Sequence, residues 1–511
     1  MHFEGVAEKL KKDSNIEISG GNIIMKYLLG IDIGTSGTKT ILFNETLESI
    51  ASATYEYPLT QIKPLWAEQN PSDWWGAVVE GIKEVINKSG VSPQSIASIG
   101  LSGQMHGLVL LNKDNKIIRP SIIWCDQRTV KECNQITEII GHEKLIDITA
   151  NPALTSFTLS KILWIKNNEP ASYKEIAHIL LPKDYIRFKL TGQYATDVSD
   201  ASGMQLLNIK NRCWSDEIIT KFEIDKNWLG KVYESQEITG YINEECALET
   251  GLAISTSVVG GAGDQAAAAI GCGIVREGRI SDTIGTSGVI FAHTDKPLID
   301  YKGRVHTFCH AVPNKWHIMG VTQGAGLSLK WFRDNFCQDL EYKEMDSLAE
   351  SIPICSEGLI FLPYLMGERS PILDPEAKGV FFGLTNSHKR THMIRSVMEG
   401  IVLSQYDCLK VVNELGVHAK EITIGGGGAK SHLFRQMFAD CFNTPVITLN
   451  NTEGGALGAA ILAGTGAGIF NSIEEACDSL LIKSTEEKPI NCVYENLYLK
   501  YKALYNAVKG L

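Results

Sequence analysis

The 511-residue sequence contains no apolar run near the about 18 residues that a membrane-spanning helix needs, and its N-terminus has no hydrophobic signal core. A cytoplasmic protein is therefore expected. Basic residues are in the minority, 48 Lys and Arg against 59 Asp and Glu, for a formal net charge of -11. Such a surface offers no broad positive field to a phosphate backbone, so nucleic acid is not an expected partner. The 12 cysteines are scattered, with no CxxC pair and no Cys/His cluster at zinc spacing, which argues against a disulfide framework and a structural metal. Neither GxxxxGK[ST] nor a strand-ending GxGxxG occurs at the glycine turns, which excludes a Walker-type NTPase and a Rossmann dehydrogenase. No Pro-rich or Ser-rich linker marks a domain boundary.

What the sequence does have is ample core material, 44% hydrophobic residues, enough for two or more packed domains. From Tyr27, YLLGIDIG, a GTSG turn and TKTILFN read as a β-hairpin, and SATYEYPL as a further strand. The same arrangement returns at GRISDTIG, TSG and VIFAHT. This wide, single recurrence points to a duplicated two-lobed architecture rather than a solenoid. Helical patterns occupy PSDWWGAVVEGIKEVINKSG, with Ser72 or Asp73 able to cap it, and the segments around GLSLKWFRDNF and THMIRSVMEGIVLSQYDCLKVVNELG. SIASIGLSG reads as a buried strand, EITIGGGGAK as a strand running into a glycine loop. Strands and helices alternate, as in the α/β class.

Four segments are expected: an N-terminal extension over 1–24, domains over 25–250 and 251–490, and a closing helix over 491–511, which could dock back on the first lobe. Residues 1–24 admit two readings, a native start at Met25 or a short helical extension at VAEKLKK.

A turn of Gly, Ser and Thr turns backbone N–H groups and hydroxyls toward phosphate oxygens without side-chain obstruction. One GTSG is an ordinary hairpin turn; two in matching contexts favour a polyphosphate clasp. Candidate phosphate contacts are Gly34, Thr35, Ser36, Gly37 and Thr38 in the first turn and Gly285, Thr286 and Ser287 in the second. Aligning the turns puts Thr283 opposite Asp32, so only the first carries a carboxylate beside its loop. Asp32 would repel phosphate directly but can hold Mg2+ or its waters; its bland reading is a turn cap. Gly425, Gly426, Gly427, Gly428 and Ala429 could admit a flat ligand such as adenosine close to the backbone.

With these hairpins in hand, SFTLSKILWIKNN (156–168) and GVFFGLTNSHKRTHMIRSVMEG (379–400) resemble the two long signatures of the FGGY carbohydrate kinases, a likeness running from about residue 26 to the C-terminal region. The resemblance implies a two-lobed actin/hexokinase-like (ribonuclease H-like) fold with duplicated domains and an active-site cleft between them. SGQMHG (102–107), with PLWAEQNP, IIWCDQRT, LPKDYIRFKLTG and FLPYLMGERSP, resembles the sugar-binding stretches of the branch that phosphorylates D-xylulose. The implied reaction is ATP plus D-xylulose giving ADP and D-xylulose 5-phosphate, a step in xylose catabolism.

Carried over on those motifs, Asp264 is the catalytic base, and Met105 and His106, with Gln104 beside them, are sugar contacts. Trp66, Trp124, Asp126 and Arg128 are further cleft candidates, with core packing as the competing reading for the aromatics. Asp264 precedes an alanine-rich helix, where an acid is also a plain cap. Some relatives read GGGDN where this chain has GAGDQ; Ala262 adds a methyl and Gln265 a longer amide, read as tuning rather than loss. The implied cofactors are ATP and Mg2+, and the family admits a homodimer. Rival readings are another ketose such as ribulose, a polyol or a sugar acid such as gluconate in the same fold. Further off are a non-catalytic sugar sensor and an actin-like ATPase, which would not need QMHG.

Overall fold

The computed structural model describes residues 25–450, 453–491 and 493–511. The two readings of residues 1–24 lie outside the described residues.

The first sheet grows from the hairpin of β1 (Tyr27–Ile33) and β2 (Gly37–Asn44), with Ile33 opposite Thr38 at the GTSG turn. β3 (Ser49–Glu56) extends it on the β2 side. β4 (Ile96–Gly103) runs parallel to β1, and both are buried almost throughout, as strands covered on two faces require. Beyond β4 come β5 (Ile238–Tyr241) and β6 (Ser257–Val259), in the order β5-β6-β4-β1-β2-β3, while β7 (Ala262–Gly263) pairs with the end of β4. The second sheet repeats the scheme. β8 (Arg279–Ile284) and β9 (Gly288–Thr294) form its hairpin, and β10 (His306–Cys309), β11 (Trp316–Thr322), β12 (Glu421–Gly426), β13 (Val446–Leu449) and β14 (Lys483–Glu487) complete the order β10-β11-β9-β8-β12-β13-β14. In each sheet the first hairpin strand has an antiparallel partner on one side and a parallel strand on the other. The repeat read from GTSG is thus a repeat of topology.

Helix α1 (Pro71–Ser89) covers the first sheet. Its cap is neither Ser72 nor Asp73: Asn70 accepts from the Ser72 N–H, and Pro71 takes the first helical position, where a missing N–H costs nothing. Helices α2 (Thr158–Asn168) and α3 (Asp264–Gly271) frame the cleft, α4 (Gly326–Phe336) braces the second turn, and α5 (Arg390–Glu414) fills the second core with Ile394, Val397 and Ile401. α6 (His432–Phe442) follows the glycine loop. α7 (Gly454–Gly466) packs against β1 and β4 of the first sheet. That approach is so close that a Cβ on Gly30 would lie 2.0 Å from the Ala456 carbonyl oxygen, and one on Gly100 1.8 Å from that of Ala459. Late sequence is therefore built into the first lobe.

The closing helix α8 (Tyr494–Val508) docks on the second lobe rather than the first. Tyr498 donates to Asp407 at 2.7 Å, Tyr505 to Asp374 at 2.7 Å, and the Tyr501 and Tyr364 hydroxyls lie 2.6 Å apart. Its tyrosine stripe combines apolar area with a polar tip, and the second core supplies the acceptors. Among the described residues no helix is long and apolar enough to cross a membrane.

Candidate active site

Three parallel strands, β1, β4 and β7, end side by side, and the residues at their carboxyl ends form one wall of the cleft. Asp32 stands opposite Ser102, and Ala262 pairs with Ser102 on the other side of β4. Ligands of open α/β sheets bind at such strand ends. Ser102 donates to Asp32 Oδ1 at 2.6 Å, leaving the other carboxylate oxygen unengaged by it. Burial holds the Asp32 carboxyl above its ordinary 3.8, against the lowering effects of Ser102 and of Lys39. Gly263 ends β7, and Asp264 is the first residue of α3, its Oδ1 accepting from the Gln265 N–H at 2.7 Å. Asp264 keeps part of its surface open. Desolvation, then the neighbouring Asp32 charge, push its pKa up to about 7, against the Gln265 N–H that favours the ionised form. A carboxyl so poised can gain and lose a proton near neutral pH.

The first turn is braced from below. Gly34 N–H donates to Gly37 O at 3.0 Å, Tyr57 hydroxyl to Gly34 O at 2.5 Å, and Gln69 to Thr35 O at 2.7 Å. Thr35 and Gly37 are half-buried and Ser36 exposed, whereas Thr38 is buried behind the turn with its hydroxyl 3.4 Å from Tyr57. Gln104, also buried, is held by Gln69 Oε1 at 2.9 Å and lies 3.4 Å from Gly34 O, so its amide supports this turn. In the second turn Gly285 N–H donates to Ser287 O at 3.0 Å. The start of α4 donates to it in turn, Gly326 to Gly285 O at 2.8 Å and Leu327 to Thr286 O at 3.0 Å.

Gly285, Thr286, Gly427 and Gly428, just beyond the neighbouring ends of β8 and β12, line a cavity of about 800 Å³ whose walls include Met398, Ile401, Leu433 and Phe434, with Asp346 among its polar residues. Gly425 and Gly426 end β12, Gly426 with φ of 74°, and Ala429 lies in the short helix that follows. A mostly apolar chamber lined by glycine backbone and a few hydroxyls has the chemistry of a nucleotide pocket.

Met105 packs against the end of β7, one residue before Asp264: a Cβ on Gly263 would lie 2.9 Å from Met105 Cγ. His106 follows with φ of 69°, a left-handed conformation that a non-glycine residue adopts only under constraint. Its Nδ1 lies 3.0 Å from Gly203 O, which makes Nδ1 the protonated nitrogen and Nε2 the acceptor. Burial, then the charge of Lys161, push its pKa down to about 3, so the ring is neutral. Trp66, Asp126 and Arg128 form a cluster of their own. Arg128 donates to both Asp126 oxygens and to Glu68 and stacks 3.8 Å from the Trp66 ring, while Asp126 accepts from the Ala67 N–H at 2.6 Å. These groups are occupied with one another. Trp124 is 40% exposed and donates to Thr35 Oγ1 at 2.8 Å, at the edge of the first turn.

Sequence reasoning missed several residues. Lys39, cross-strand partner of Asp32, ion-pairs with Glu453 beside the start of α7. Ser102 and Gln69 orient the first turn, and Arg369, from the second lobe, reaches to 3.5 Å from Ser156 Oγ. Lys39 was legible in DIGTSGTK once the hairpin register was written out; the others become neighbours only through the fold.

Comparison with known proteins agrees with this arrangement. The N-terminal domain model of the FGGY family of carbohydrate kinases matches residues 27–271, and its C-terminal domain model residues 281–467. The chain belongs to the FGGY family of carbohydrate kinases. Within that family, the xylulose kinase of Bacillus subtilis (strain 168) is 40% identical over 496 residues, covering 95% of this chain and 99% of its own. Among solved structures, a ligand-bound xylulose kinase from Lactobacillus acidophilus superposes with a TM-score of 0.90 at 30% identity, over 95% of this chain and 99% of that one. A gluconate kinase from the same organism gives 0.91 at 30% identity over the same shares. As an FGGY member the chain is a two-domain sugar kinase of mixed α/β fold.

Proposed function

We propose that this FGGY kinase transfers the γ-phosphoryl group of Mg-ATP to a hydroxyl of D-xylulose. The observation that carries the reading is the junction of β4 and β7. There Met105 of the QMHG stretch packs on Gly263, the residue before Asp264, and His106 follows Met105 in the chain; Asp264 is a carboxyl able to exchange a proton near pH 7. The full-length similarity to xylulose kinases supports the choice of acceptor.

In this mechanism His106 Nε2 accepts a hydrogen bond from a sugar hydroxyl, and Met105 packs between the sugar and the Gly263 backbone. Asp264 takes the proton of the attacking hydroxyl as its oxygen bonds to the γ-phosphorus and the bridging bond to ADP breaks. The turns at 34–37 and 285–287 supply N–H groups and hydroxyls to the phosphates, while Thr38 braces the first from behind, and the cavity beside Gly427 and Gly428 takes the adenosine. Asp32, with one oxygen not taken by Ser102, suits Mg2+ together with phosphate oxygens and water. The ion, when bound, would offset phosphate charge. Closure of the lobes would keep water from acting as the acceptor.

A sugar acid such as gluconate is the second reading, favoured by the Arg369 guanidinium near Ser156 and by the gluconate kinase neighbour. ADP release with Mg-ATP across D-xylulose, D-ribulose, L-ribulose, glycerol and gluconate decides. A dominant response to D-xylulose, with the phosphorylated product identified, is expected. Preference for gluconate replaces the acceptor, and silence across the panel despite ATP binding refutes the kinase reading. The unpaired cysteines of the described residues suit a reducing cytoplasm, and light scattering would read the homodimer that the family resemblance admits.

A further inference from the structure

His106 is held from two sides. Its ring fits because residue 203 is glycine: a Cβ there would lie 2.3 Å from Nδ1. Its carbonyl oxygen is turned away from the ring and into the first turn of α2, where it accepts from Thr158 Oγ1 at 3.1 Å and from Lys161 Nζ at 2.9 Å. Lys161 Nζ also donates to Ser156 O. Thr158 and Lys161 are both 0% exposed.

A wholly buried lysine normally answers a carboxylate, because an uncompensated ammonium is costly to desolvate. Lys161 has none within ion-pair distance among the described residues; its partners are two backbone carbonyls. Burial pushes its pKa down to about 7, against the raising effect of the Asp126 charge. Two N–H bonds suffice for two carbonyls, so either protonation state keeps both contacts. Removing either donor on α2 would loosen the peptide that sets a left-handed φ, and the imidazole would lose its aim.

We propose that Lys161, with Thr158, is a positioning residue for acceptor recognition: the pair clamps the His106 carbonyl in the left-handed conformation that presents Nε2 to the sugar. This rests on His106 being a sugar contact in the proposed reaction. Lys161 is 0% exposed, so its role runs through the His106 peptide.

The test is steady-state kinetics of the full chain with its preferred acceptor and Mg-ATP, for Lys161→Met, Thr158→Val, His106→Ala and the double variant His106→Ala/Lys161→Met. Lys161→Met should raise the sugar KM by about tenfold or more, with kcat and the ATP KM within about threefold of wild type. Thr158→Val should act in the same direction. In the His106→Ala background Lys161→Met should add almost nothing, since both changes remove one interaction. An equal KM rise in that background overturns the proposal, as does an unchanged sugar KM in a folded Lys161→Met protein. If Lys161→Met does not fold, Thr158→Val decides alone: a raised sugar KM supports the clamp, an unchanged one refutes it. Should wild type show no acceptor-dependent ADP release, the kinase reading fails first and independently.

Discussion

Asp264 makes a quantitative claim about pH. An aspartate near its ordinary 3.8 would be ionised throughout the neutral range, and the rate would be flat from pH 5.5 to 8. Desolvation and the Asp32 carboxylate instead push Asp264 up to about 7. With Asp264 as the proposed base the active form is the ionised one, so kcat/KM for the sugar should rise with pH through a midpoint near 7. At pH 5.5 about one thirtieth of the molecules hold the active form, and below pH 6 the rate should fall about tenfold per unit. His106 adds no second limb there, because its pKa is pushed down to about 3. Asp264→Asn keeps the shape and removes the proton acceptor. The expected loss is about 10²–10⁴ in kcat, equivalent to about 3–5.5 kcal/mol of barrier, and the residual rate should lose the limb.

The assay is coupled ADP release at constant ionic strength from pH 5.5 to 8.5, at saturating Mg-ATP, beside calorimetric titration of the variant with nucleotide. Nucleotide affinity should survive, because the cavity proposed for adenosine is lined from the second lobe. A flat profile, a limb that persists in Asp264→Asn, or a variant within tenfold of wild type would refute the reasoning. Glu368, also pushed up to about 7 by burial, is the group a persistent limb would indict.

Two further predictions concern stability. Asp282 is fully buried in β8 with both carboxylate oxygens lacking a hydrogen-bond partner, and burial raises it well above 3.8. Its contribution is fully present below about pH 3.8 and lost as pH rises toward the folded value, so Asp282→Asn should gain on wild type by up to about 1.4 kcal/mol per pH unit. Urea melts at pH 6, 7 and 8 measure the gap; parallel profiles would contradict it. Gly100→Ala would drive a Cβ to 1.8 Å from the Ala459 carbonyl and part α7 from the first sheet. It should cost about 1–3 kcal/mol or more, read as a lower urea midpoint, and a neutral result would mean that α7 can shift freely.

What the sequence made legible was local. Both hairpins, the helix over 326–336 and the glycine loop after β12 follow from turn chemistry and periodicity within about ten residues, and each lies where it was read. Asp32 could be singled out because it stands where an apolar strand runs out into glycine, whereas Asp264 is singled out by the resemblance to the FGGY kinases, its local pattern reading equally well as a helix cap. Register and long-range packing were not legible. Nothing in GIDIGTSG says that Ser102, 70 residues on, will bond Asp32, or that Gly30 must be glycine because Ala456 arrives across the sheet. The closing helix shows the same limit: its tyrosine stripe announces a buried face, but only the acceptors at Asp374 and Asp407 decide which lobe receives it. The acid in β8 is instructive for the same reason. Asp282 falls one residue short of the position equivalent to Asp32, and in a strand one residue is the difference between two faces. Asp32 stands beside Lys39 and Asp264 in the cleft, while Asp282 is sealed in the second lobe. The same residue type thus carries opposite consequences in the two halves, a proposed metal ligand in one and a pH-dependent burden in the other.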